Sequence, residues 1–75
     1  MATVNMNDIK TLIAGQLGIA SVNETDRVVE DLGAESSDVA NIIAAIEDKY
    51  HIQVPEGSIK SIQTVRDVFS AVQKA

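Results

Sequence analysis

With no cysteine and a single histidine, a chain of 75 residues has few ways to do chemistry. The groups to test are Ser36, Ser37, His51 and the eleven acids. A serine nucleophile needs an imidazole within hydrogen-bond reach of its hydroxyl. Ser36 and His51 stand at opposite ends of one helical stretch, about 22 Å apart at ~1.5 Å per residue. His51 therefore reads as a solvated helix-end residue, not a base. Zinc would want thiolates or paired histidines, and the acids lack the spacing of a calcium loop. Gly15 and Gly18 are too sparse to cradle a phosphate. The residue types predict neither intrinsic catalysis nor a dedicated metal site.

What the acids do instead is cluster. Glu24, Asp26, Glu30, Asp31, Glu35, Asp38, Glu47 and Asp48 are opposed only by Arg27 across residues 24–48, a local charge of −7 within a total of −5. The remainder of the chain is thus +2. Such a segment is either a solvated face or a surface that steers basic partners. It argues against nucleic-acid phosphates and anionic membranes as ligands. The absence of cysteine fits a reducing compartment. Met1 to Asn7 lack the basic and apolar regions of a signal peptide. The longest apolar run, Ile42 to Ile46, is five residues, where a membrane span takes about 20. These features predict a soluble, cytoplasmic, monomeric protein of one domain spanning residues 1–75, of marginal stability at this size.

Three stretches have helical spacing and would position these groups. From about Asn5 to Leu17, Ile9, Leu12, Ile13 and Leu17 share one face. Asn5 is the cap, Asp8 lies in the first turn, Val4 and Ile9 form a hydrophobic staple, and Gly18 is the stop. From about Ser37 to Tyr50, Val39, Ile42, Ile43, Ile46 and Tyr50 make an apolar stripe, with Ser36 at the position of an N-cap. From about Val65 to Lys74 the stripe is Val65, Val68, Phe69 and Val72, opened by Thr64 and Asp67. Val54-Pro55-Glu56-Gly57 breaks the chain before a short helical turn near Ser58 to Ser61. Ile52 and Val54 alternate as a strand would, but have no partner strand. The connection from Gly18 to Glu35 is long for so small a domain, with Val28, Val29 and Leu32 as its expected anchors. The predicted fold is all-α: a small bundle of three main helices plus one short helix, with a long first loop.

Glu30-Asp31-Leu32-Gly33-Ala34-Glu35-Ser36-Ser37-Asp38 closely resembles the prosthetic-group attachment motif of acyl carrier proteins, usually Asp-Leu-Gly-Ala-Asp-Ser-Leu-Asp. Leu12 with Gln16-Leu17-Gly18 looks like the end of that family's first helix. Val54-Pro55-Glu56 resembles its Ile-Pro-Asp/Glu turn, and Ile62, Thr64 and Val65 its Ile-x-Thr-Val segment. The resemblance runs without obvious gaps from about Asp8 to Val72, nearly the whole chain.

The resemblance implies a four-helix carrier bundle in which Ser36 bears 4′-phosphopantetheine, attached by a phosphopantetheinyl transferase. The arm's thiol would hold acyl groups as thioesters, and partner enzymes with basic patches would make and break the bonds. It implies a docking surface at Glu35, Ser37, Asp38, Asn41, Glu47 and Asp48. It also implies an acyl pocket lined by Val29, Ile42, Ile43, Ile46, Val54, Ile59, Ile62, Val65 and Phe69. Three positions depart from the family pattern. Ser37 replaces the usual leucine after the modified serine, Asn41 a common acid, and Val28 a usual aromatic. A specialised, polyketide-like acyl pathway is therefore as consistent with the sequence as fatty acid synthesis. Peptide-synthesis carriers usually read Leu-Gly-Gly-His/Asp-Ser-Leu, from which Ala34 and the missing histidine depart. A D-alanyl carrier and an unmodified, carrier-like adaptor remain the alternatives.

Overall fold

Four helices in the order α1 (Met6–Leu17), α2 (Ser36–Tyr50), α3 (Glu56–Lys60) and α4 (Val65–Lys74) make up the computed structural model, which describes residues 4–75. The polar lead from Met1 to Asn7 thus lies partly outside the described residues. The helices start and stop where local chemistry dictates. The Asn5 side chain accepts the Asn7 N–H at 2.7 Å, and Gly18 closes α1 at φ 69°, a conformation that costs glycine little. Val4 and Ile9 both belong to the core packing, as a staple requires. Pro55, at φ −59°, opens α3 with a carbonyl that accepts the Ser58 and Ile59 N–H groups. At α4 the Thr64 hydroxyl accepts the Asp67 N–H while the Asp67 carboxylate accepts the Thr64 N–H. This is the reciprocal capping box that Thr64 and Asp67 foreshadow.

Helix α1 packs against both α2 and α4. The core they share is aliphatic: Ile9 and Ile13 from α1, Ile42, Ile43 and Ile46 from α2, and Val65, Val68 and Val72 from α4 are all buried. Helix α3 buries no residue completely and lays Ile59 partly against this core.

The long connection is not structureless. Val22, Val28 and Ala34 are fully buried and anchor it. Val28 is the one expected anchor that is buried. Leu32 is half-buried, and Val29, expected to point inward, is 54% exposed. The reason is local. Residues 27–33 wind into helical turns, with Asp31 and Leu32 N–H on the Arg27 carbonyl and Gly33 N–H on the Val29 carbonyl. In that conformation neighbours cannot share a face, so burying Val28 turns Val29 out. Among the described residues the only bridge between extended segments is an isolated antiparallel one, Arg27 with Thr64. It ties the connection to the start of α4, together with Val28 N–H on the Gln63 carbonyl at 2.8 Å. The first two amides of α4, Val65 and Arg66, donate to the Asp26 and Glu24 carbonyls at 3.0 and 2.9 Å. The loop thereby satisfies donors that the helix itself leaves unpaired.

Candidate functional site

Ser36 is exposed at the first turn of α2. It is not the N-cap that its residue type suggests. Helix α2 begins at Ser36 itself, and Glu35, at φ −91° and ψ 169°, holds the cap position. Asp38 is what displaces the serine from that role. Its carboxylate accepts the Glu35 N–H at 2.9 Å, so the turn closes one residue earlier than a serine cap would close it. The Ser36 hydroxyl is thereby left out of every side-chain hydrogen bond among the described residues and faces solvent.

The approach to Ser36 is fixed by the backbone. Gly33 takes φ 74°, which a side-chain-bearing residue would adopt only with strain. Ala34 follows, buried, with its N–H on the Val28 carbonyl at 3.1 Å. Val28 in turn donates to Gln63. A chain of two backbone hydrogen bonds thus joins the start of α4 to a point two residues before the serine. Beyond Ala34 the chain leaves the core and presents Glu35, Ser36 and Ser37 outward.

The surrounding charge is partly neutralised from within. Arg27 pairs with Glu30 and with Asp31, the latter at 3.3 Å. The Arg27 backbone N–H, and then its guanidinium, hold the Asp31 carboxyl below the usual range, while Asp31 raises Arg27. Across the loop Arg66 pairs with Glu24, whose pKa is lowered by that hydrogen bond and by the guanidinium charge. All three pairs are solvent-exposed and therefore add little to stability, but they hold the loop to itself and to α4.

The expected docking residues do not form a uniform acidic face. Ser37, Asn41, Ala44 and Asp48 follow one another at four-, three- and four-residue steps on an exposed stripe of α2. Only Asp48 in that stripe is charged. Glu35 is exposed beside Ser36. Asp38 is half-buried, with one oxygen on the Glu35 amide, and Glu47 is half-buried, with Oε2 on the Val54 amide at 2.8 Å. Nothing in the amino-acid pattern announced the Glu47 contact, because Val54 lies beyond the end of the helix and its amide has no side-chain signature.

Of the expected pocket residues, Ile42, Ile43, Ile46, Val54 and Val65 are buried, and Ile59, Ile62 and Phe69 pack partly against them. Val29 is the exception. It meets Ile62, Arg27, Glu30 and Gln63 around an open groove of about 260 Å³ at the surface. A larger groove, about 560 Å³, runs along α1 past Lys10, Ala14 and Ile19 and includes no residue of the turn carrying Ser36. His51 closes the far end of α2, a helix-length from Ser36.

Compared with known proteins, residues 7–72 match the family model described as a phosphopantetheine attachment site. The chain belongs to that family. Among curated relatives of this phosphopantetheine-attachment protein are acyl carrier proteins of Wolinella succinogenes and Sulfurovum sp. The first is 38% identical over 69 residues, covering 89% of this chain and 91% of the relative. The second is 35% identical over 69 residues, covering 89% and 92%. A crystal structure of an acyl carrier protein from Thermotoga maritima superposes with a TM-score of 0.77 over 92% of this chain and 82% of that one. At 24% identity that likeness concerns the fold, which is the small all-α bundle the sequence predicts.

The residues at the start of α2 fit the group the family carries. A phosphodiester on Ser36 would sit at a helix N-terminus of 15 residues, where the Ser36 and Ser37 N–H groups lack intrahelical acceptors and the dipole favours an anion. The nearest acid on α2, Asp38, has one oxygen already committed to the Glu35 amide, which limits its repulsion of a neighbouring phosphate.

Proposed function

We propose that this chain is an acyl carrier protein that uses Ser36 as its attachment residue and acts as one domain across its length. When bound, 4′-phosphopantetheine supplies the thiol on which acyl groups ride as thioesters, a group the chain itself lacks, having no cysteine. The carrier's own residues do the presenting. Gly33 and Ala34 turn the chain out of the core, Asp38 closes the first turn of α2 from behind, and the hydroxyl of Ser36 stays free for a transferase. The single observation that carries this reading is that unengaged, exposed hydroxyl at a helix N-terminus, inside a motif of the family type.

Partner enzymes do the bond-making, so the protein is substrate and scaffold, not catalyst, and it works in the cytoplasm as a monomer. Glu35, Asp38 and Asp48 supply the negative charge that basic partner patches would meet, and Ser37 and Asn41 share the exposed stripe of Asp48. Because that stripe carries a single charge along α2, its partners engage it less through charge than the composition of residues 24–48 suggests. The acyl groups it carries are those of fatty acid synthesis or of a dedicated, polyketide-like pathway. Ile42, Ile43, Ile46, Val54, Val65 and the half-buried Ile59, Ile62 and Phe69 line the space an acyl chain would take. The fully buried part of that lining is isoleucine and valine, side chains of similar size that repack at modest cost.

The test is intact-protein mass spectrometry after incubation with coenzyme A and a promiscuous phosphopantetheinyl transferase. One pantetheine adduct is expected on the wild type, lost in Ser36→Ala and kept in Ser37→Ala. An adduct that survives Ser36→Ala, or none with several transferases beside a working control carrier, overturns the assignment, the latter in favour of an unmodified adaptor.

A further inference from the structure

Glu47 is placed where an acid should be unwelcome. It opens the last turn of α2, the negative end of the helix dipole, where a carboxylate is disfavoured. Three amides that follow it all end on this one residue. The Glu47 backbone carbonyl accepts the N–H of His51 and, at 3.1 Å, of Ile52. The Glu47 carboxylate reaches past them to accept the Val54 N–H at 2.8 Å, a part-buried bond across seven residues. Val54 is itself a core residue, 6% exposed, and the chain around it has no other secondary structure. Without the carboxylate, a sheltered amide would lack a partner, which costs more than a typical hydrogen bond contributes.

We infer that Glu47 is a positioning residue, a latch whose carboxylate holds the connection between α2 and α3 closed over the core. Its effect passes through the Val54 amide and not through charge offered to a partner. The backbone carbonyl of Glu47 ends the helix and would do so with any side chain. The carboxylate alone decides whether Val54 stays seated. On the carrier reading above, the frequency with which this latch opens sets how readily an acyl chain reaches Val54 and Ile46.

Native-state amide hydrogen exchange on the purified, unmodified protein tests the latch without requiring any carrier activity. In Glu47→Ala the Val54 amide should exchange about tenfold faster or more, the scale of losing a bond to a charged acceptor. The Ile46 amide, inside α2, should rise less and so separates local opening from global unfolding. Glu47→Gln keeps a carbonyl acceptor and loses the charge; Val54 should then stay within about threefold of wild type. If Glu47→Ala fails to fold, Glu47→Asp, one methylene too short, takes its place with the same expected loss. Unchanged Val54 exchange in the Ala or Asp variant overturns the latch, as does a Gln variant that exchanges as fast as Ala. Because no prosthetic group enters this experiment, its failure leaves the Ser36 assignment untouched, and failure of that assignment leaves the latch standing.

Discussion

Removing the Asp67 carboxylate should unsettle the approach to Ser36 through the start of α4. One oxygen of Asp67 accepts both the Gln63 N–H at 2.9 Å and the Thr64 N–H at 3.0 Å. Gln63 and Thr64 are also the residues on which the long loop rests, through Val28 and Arg27. Asp67→Ala removes a capping-box partner and the acceptor for two amides, about 2 kcal/mol on the scale of measured caps and charged hydrogen bonds. For a domain of this size that corresponds to a fall in Tm of about 8–16 °C. Thermal melts followed by circular dichroism would read it. The pH dependence supplies a second, sharper check. The Thr64 backbone N–H foremost, with the Gln63 N–H and the Thr64 hydroxyl, holds the Asp67 carboxyl below its ordinary value of 3.8. A carboxyl whose folded pKa is depressed adds stability that is complete above the unfolded value and lost as pH falls through the folded one. The gap between wild type and Asp67→Ala should therefore be full at about pH 7 and begin to close only below about pH 4. A Tm loss under about 3 °C, or a gap that persists undiminished well below the folded value, would refute the reasoning.

Two further outcomes follow from the same geometry. His51 holds φ 56° and ψ 47° at the end of α2, the one non-glycine left-handed residue among those described, so His51→Gly should raise stability by about 0.5–1 kcal/mol in urea titration. A loss instead would mean that the imidazole makes a contact worth more than the strain. The −7 concentrated in residues 24–48 should make Tm climb with NaCl as the screening length drops from about 30 Å at 0.01 M to about 8 Å at 0.15 M. A flat salt profile would mean that the unpaired acids lie too far apart for their mutual repulsion to cost stability.

The ends of α1 and the start of α4 were legible because their causes are local, whereas the short turn expected near Ser58 to Ser61 is α3, Glu56–Lys60, which opens earlier, at Pro55. Asn5, Gly18, Thr64 with Asp67, and Pro55 each act within one turn, and the stripe of Ile42, Ile43 and Ile46 follows from a period that the chain carries in itself. The attachment motif was legible for the same reason, as nine consecutive residues. What residue order could not settle is which group meets which across turns. Ser36 and Glu35 are both able to precede a helix, and the carboxylate of Asp38 decides between them by seizing the Glu35 amide. Val28 and Val29 are identical in type; the helical turns of residues 27–33 set them on different faces, and the docking of the loop onto Gln63 and Thr64 decides that Val28 is the one buried. Glu47 and Asp48 look alike as acids on a helix, yet folding brings the Val54 amide to one of them and leaves the other in solvent. Propensity and periodicity act along the chain and are written in it. Backbone amides carry no side-chain label, so the partners they find appear only once the tertiary structure has brought them together.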